Sequence, residues 1–163
     1  MAISNNIIVV GASDADIDGH PDQGAAYVFE REGDFWVERQ ILVAADGGAF
    51  DGFGDSVNLA GDIAIVGAIG NDHSGLTDAG AAYLFTRTGS HWVEREKCTT
   101  SDPANDDQFA FGFPISGDTV IFGSPGDDHS GLTDAGSAYV FRLALFADGF
   151  ESGDNSGWTA TVP

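Results

Sequence analysis

GAAYVF at residues 24–29, GAAYLF at 80–85 and GSAYVF at 136–141 are one hexapeptide written three times, at a spacing of 56 residues. Other landmarks keep this register without a gap. Gly11, Gly67 and Gly123 each follow an apolar run, WVER begins at Trp36 and again at Trp92, and Gly61-Asp62 matches Gly117-Asp118. The second and third copies share DHSGLTDAG letter for letter, from Asp72 and from Asp128. A repeat of this length is the mark of a modular architecture in which each unit needs its neighbours to cover it.

Within a unit, apolar residues come in runs of four to six, punctuated by Gly, Asn and Asp, which is a strand pattern rather than a helical one. In the middle copy the strands are expected at residues 53–59, 63–68, 81–86 and 91–97. Gly61-Asp62 and its counterparts Asn5-Asn6 and Gly117-Asp118 suit a two-residue hairpin turn, because these residues tolerate positive φ. Gly33 and Gly89 mark a second hairpin, between the third and fourth strands. The second and third strands are apolar at successive positions, so both faces of the sheet are covered. The expected fold is therefore all-β, built of four-stranded antiparallel meanders that stack as β-propeller-type blades. Tyr27, Tyr83, Tyr139, Trp36 and Trp92 recur at fixed blade positions and are expected in the core or between blades.

Composition narrows the partners. The 163 residues hold six Lys plus Arg against 26 Asp plus Glu, a formal charge of −20, which repels phosphate backbones and anionic lipid alike. Nucleic acid and membrane insertion are excluded as expectations, the second also because no apolar run approaches the roughly 20 residues that span a bilayer. The N-terminal residues lack the basic start and long apolar stretch of a signal peptide. Cys98 is the single cysteine, so no intrachain disulfide forms and no paired zinc-type spacing exists.

The run FGDSVNLAGDIAIVGAI, followed by GAAYLF, resembles the FG-GAP repeat, the blade of the integrin α-subunit propeller and of many bacterial secreted or surface proteins. Phe53-Gly54 matches the pair that names the repeat, and Val66-Gly67-Ala68 and Gly123-Ser124-Pro125 match its second half. On this register the copies occupy about residues 1–52, 53–108 and 109–142, and 143–163 form a C-terminal tail expected to be weakly ordered. The third copy departs from the pattern, with Phe109-Ala110 for the naming pair and Pro114 in its first strand. The first begins at Met1, which aligns with Val57, and the third stops after its third strand. About two and a half repeats fall short of the about four to eight blades of a closed propeller. The chain is expected to be a piece or shortened relative of a longer propeller, or one half of a ring closed by a second copy. The tail, LFADGFESGDNSGWTATVP, resembles the DGFESGD-type ends of bacterial exported proteins, and its SGDNSGW approximates the aspartate box of sialidases with the tryptophan one residue early.

The resemblance implies adhesion or ligand binding outside the cell or at its surface, without catalysis. The partner expected is a protein or carbohydrate meeting the loops between the second and third strands, and their acidity points to a cationic or metal-bridged one. The first such loop reads DADIDGHPD from Asp14 to Asp22. Carboxylates at alternate positions around a glycine turn suit a hard cation with six to eight oxygen ligands, so Asp14, Asp16, Asp18 and Asp22 are the expected calcium ligands. Ala25 holds the place of a closing twelfth-position glutamate. Asp72 and Asp78, and Asp128 and Asp134, are weaker metal candidates in the other two loops. No nucleophile elbow or phosphate loop is present, and Cys98 has no local activating partner. Two alternatives stand: part of a propeller hydrolase acting on carbohydrate, which needs two carboxylates across a cleft, or a truncated chain with no independent function.

Overall fold

The computed structural model describes residues 1–129 and 131–143. It holds three antiparallel sheets and, among the described residues, no helix. The first blade comprises β1 (Ala2–Ser4), β2 (Ile7–Ala12), β3 (Ala25–Glu32) and β4 (Phe35–Leu42). The second comprises β5 (Val57–Ala60), β6 (Ile63–Ala68), β7 (Ala81–Thr88) and β8 (His91–Cys98). The third has β9 (Ile115–Ser116), β10 (Thr119–Ser124) and β11 (Ser137–Arg142). Strand order follows chain order in every sheet, as a meander requires. Asn5, Gly61 and Gly117 take positive φ at the same hairpin site, where two-residue turns match the twist of the strands. The third and fourth strands of both complete blades carry the same bulge, between Val28 and Phe29 and between Leu84 and Phe85.

The sheets stack face to face. Every residue of β6 is buried. Its Ala64 and Val66 pack with Ile7, Val9 and Val28 of the first blade, while Ile63 and Ile65 pack with Val120 and Phe122 of the third. This two-sided cover explains why the middle strands have no polar alternation. A two-way side-chain clasp also joins the fourth strands: Gln40 Nε2 donates to the Trp92 carbonyl at 2.8 Å, and the Trp92 amide donates to Gln40 Oε1 at 2.8 Å.

Three expectations are corrected. The first strand of the middle blade runs only from Val57, because the amides of residues 50–53 sew onto the preceding blade and the chain returns to its own sheet at Gly54, whose amide donates to the Gly67 carbonyl at 2.9 Å. The amides of Phe50, Gly52 and Phe53 donate to the carbonyls of Pro21, Asp22 and Gln23 at 2.8, 3.1 and 2.9 Å, and Phe53 bridges Gly24 in parallel. The Phe53 ring meanwhile packs edge-on against Tyr83 and Phe85 of its own blade. Asp106, Gln108 and Phe109 repeat the stitch on Thr77, Asp78 and Ala79. Secondly, although Met1 aligns with Val57 and the start of the first strand is expected to be missing, Ala2–Ser4 form that strand in register with residues 58–60. Thirdly, Trp36 is 39% exposed whereas Trp92 is 3% exposed, because Trp92 faces the first blade and no described blade precedes Trp36.

Gly24 and Gly80 are required by the stitch. Both have positive φ, and a Cβ on Gly80 would lie 2.4 Å from the backbone N and O of Phe109. Pro114 is accommodated where β9 is cut to two residues. Its carbonyl still accepts from the Ile121 amide, at 3.3 Å, and only the return bond is lost. The Leu143 amide donates to the Asp118 carbonyl, as Arg31 and Arg87 do to Asn6 and Asp62, so the repeat bonding reaches Leu143. The tail from residue 144, with its SGDNSGW, lies outside the described residues.

Candidate functional site

The connections between second and third strands share one backbone scheme. The amides of Gly24, Gly80 and Gly136 close each loop by donating to Ala15, Asn71 and Asp127. A small bridge forms at each tip, Ile17 with His20, His73 with Leu76 and His129 with Leu132. Asp16, Asp72 and Asp128 are equivalent, and each offers Oδ1 to the amide of Asp22, Asp78 or Asp134 at 2.9–3.0 Å. These six residues are thus organised first as loop-closing pairs. Asp14 accepts from the Ser13 hydroxyl at 3.0 Å, and Asp18 sits exposed at the tip with φ of 50°.

The structure therefore does not gather Asp14, Asp16, Asp18 and Asp22 into one cage. Among the described residues, no three His, Cys, Asp or Glu side chains are grouped to hold a metal ion. Of the eight carboxylate oxygens in the four residues, Asp14 Oδ1 and Asp16 Oδ1 are engaged, by the Ser13 hydroxyl and the Asp22 amide.

Another grouping does form. Asp14 and Asp22 of the first loop and Asp78 of the second face a common cleft of about 330 Å³ at the seam, together with Asp55, Phe50 and Gln108. Asp55 was not singled out by spacing, because it follows the stitch and reaches the loops only once blades are stacked. Burial raises the pKa of its carboxyl, and the charge of Asp14 adds to the effect. Asp78 is raised by burial and then by the charges of Asp72, Asp106 and Asp51. Buried carboxylates with other acids around them form a negative focus, which a positive group relieves.

A second set of acids is buried beneath the loops. Asp51 accepts from the Gly48 amide at 2.9 Å and from Asn71 Nδ2 at 2.8 Å. In the third blade the counterpart Asp107 accepts from Ala104 at 2.7 Å, but Asp127 stands where Asn71 would be. Burial raises Asp107, and among its neighbours the Asp127 charge adds to this. The Tyr139 hydroxyl answers with its one proton, which Asp127 and, at 3.1 Å, Asp102 share. Tyr83 donates in the equivalent way to Asp46, which also receives Lys97 at 2.6 Å. These tyrosines are held un-ionised, with burial as the main cause.

Two stretches, residues 36–85 and 92–141, match the family model of the FG-GAP repeat. The chain belongs to the FG-GAP repeat family. Each FG-GAP match runs from a fourth strand, through the stitch, to the third strand of the next blade, so the family unit is the seam rather than the sheet. A search of curated proteins finds no match. Among the described residues, no helix is long and apolar enough to cross a membrane.

Proposed function

We propose that this FG-GAP chain is a non-enzymatic binding module of the adhesion type, working outside the cell or at its surface. Its ligand, a protein or carbohydrate, meets the loops between the second and third strands. The observation that carries this reading is the seam cleft, where Asp14, Asp22, Asp55 and Asp78 converge from two blades and burial raises two of them. Such a site takes a positive group from the partner, either a basic side chain or a calcium ion shared with it. Calorimetric titration of the chain with a hexalysine peptide and with calcium chloride tests the proposal. Binding heat is expected from at least one, weakened about tenfold or more in Asp55→Asn/Asp78→Asn, where two charges are removed. Absence of heat from both probes, or binding unchanged in the double variant, overturns it. Loss of a calcium response in Asp16→Ala would instead assign the ion to the first loop.

A second reading follows from the same cleft, because acids from two blades face each other there. A carbohydrate hydrolase would use one raised carboxyl as acid and a second as base or nucleophile. Release of reducing ends from polysaccharides, abolished in Asp55→Asn, would favour it over the binding module.

A further inference from the structure

The two ends of the stack are halves of one seam. The second blade shows what each half looks like when covered. Toward the first blade it presents Leu59, Ala64, Val66, Tyr83 and Trp92, all buried. The register equivalents Ile3, Ile8, Val10, Tyr27 and Trp36 form the outward face of the first blade, and none of them is buried. Toward the third blade the second presents Ile65 and Ala82, again buried, whereas their equivalents Ile121 and Ala138 are exposed. Ile65 is 1% exposed and Ile121 is 42% exposed, at the same place in the same strand.

The backbone repeats the contrast. Gln23 and Ala79 accept the amides of Phe53 and Phe109, while no described amide bonds the equivalent carbonyl of Ala135. Ala79 and Gly80 are buried, Ala135 is exposed and Gly136 is half-buried. The outward face of the first blade is thus of the kind that packs onto the outward face of the third, and both continue a seam the chain already makes twice.

We propose that a second copy of this chain covers these faces, head to tail, with the first blade of each copy seated on the third blade of the other. Two copies of three sheets close a ring of six, within the range of about four to eight blades in closed propellers. Three sheets alone are too few to close. Each seam joins unlike faces, and the two seams are related by a two-fold axis, so the pair of copies closes on itself.

Sedimentation equilibrium on the full chain, with Val10→Glu, Ile121→Glu and Ala138→Glu, tests this. Wild type is expected at twice the mass of the chain. Each variant is expected as a monomer, association falling about 100-fold or more because a lone carboxylate would be buried in the seam. An equimolar mixture of Val10→Glu and Ile121→Glu is expected to recover dimer, since one of its two seams carries neither glutamate. Circular dichroism and melting confirm that each variant is folded. Ala138→Glu, at an exposed position, stands in if Ile121→Glu is not. A monomeric wild type overturns the proposal. So does dissociation by Ile121→Glu but not by Val10→Glu, which would mean that third blades pair with each other. Continuous growth to large assemblies overturns the closed ring.

Discussion

Replacing Asp127 by Asn should make this protein more stable. The second blade supplies the template, because Asn71 at that position donates to the buried Asp51 at 2.8 Å. In the third blade two buried acids, Asp107 and Asp127, take the places of Asp51 and Asn71, and no amide donor stands between them. Asp127→Asn provides that donor and removes the neighbouring charge. A hydrogen bond to a charged group is worth about 1.5–3 kcal/mol. The Tyr139 hydroxyl would exchange a carboxylate acceptor for an amide oxygen, at a loss of up to about 1 kcal/mol, while keeping its bond to Asp102. The net gain at neutral pH is about 0.5–3 kcal/mol, or roughly 1–12 °C in melting temperature for a chain of this size. The pH trend gives an independent check. Asp107 is raised in the folded state, so its stabilising contribution is complete below its unfolded pKa and is lost as pH rises through the folded value. The advantage of the variant should be largest near pH 7 and shrink toward pH 3.5. Calorimetric melting of both proteins at several pH values measures it. A variant no more stable at pH 7, or an advantage independent of pH, would refute the reasoning.

Gly80→Ala should destabilise by more than about 3 kcal/mol in urea unfolding, since backbone clash adds to left-handed strain, whereas Gly136→Ala, with its nearest neighbour at 3.4 Å, should cost about 1–2 kcal/mol. Equal losses would mean that the stitch is not what requires the glycine. Burial lifts the Glu96 carboxyl to about 7. The stability it contributes is present below its unfolded pKa and lost as pH rises through about 7, so Glu96→Gln should flatten the melting profile between pH 5 and 8. Cys98 is buried and its thiol is raised mainly by that burial. It should resist a thiol reagent in the native state and react within seconds in 6 M guanidinium, and fast native labelling would show that this part of the second seam opens.

The three copies, their hairpins and their two-sided burial were legible because each rests on local spacing. GAAYVF and its echoes mark the same strand, and an unbroken apolar run needs cover on both faces. The stitch was not legible, because Phe53 looks like the start of the strand that follows. Only the row of amides from Phe50, Gly52 and Phe53 to Pro21, Asp22 and Gln23 shows that this stretch fastens the preceding blade. The same reason hid the seam cleft. Asp14, Asp22 and Asp78 were singled out within their own loops, but Asp55 joins them only through stacking. Alternate aspartates around Gly19 did suggest an ion cage. A loop closed by Asp16 on the Asp22 amide uses the same letters for backbone bonding, and spacing does not tell the two apart.

The stitch gives the stack a direction. Each blade is finished by residues that come after it in the chain, so the first is secured by Phe53 and the second by Phe109. During synthesis a blade leaving the ribosome would stay unfastened until about a dozen further residues had followed its last strand. A cut between a stitch and the strand after it, near residue 55 or 112, would release a self-fastened unit, whereas a cut between a fourth strand and the stitch would separate each fastening from the blade it holds.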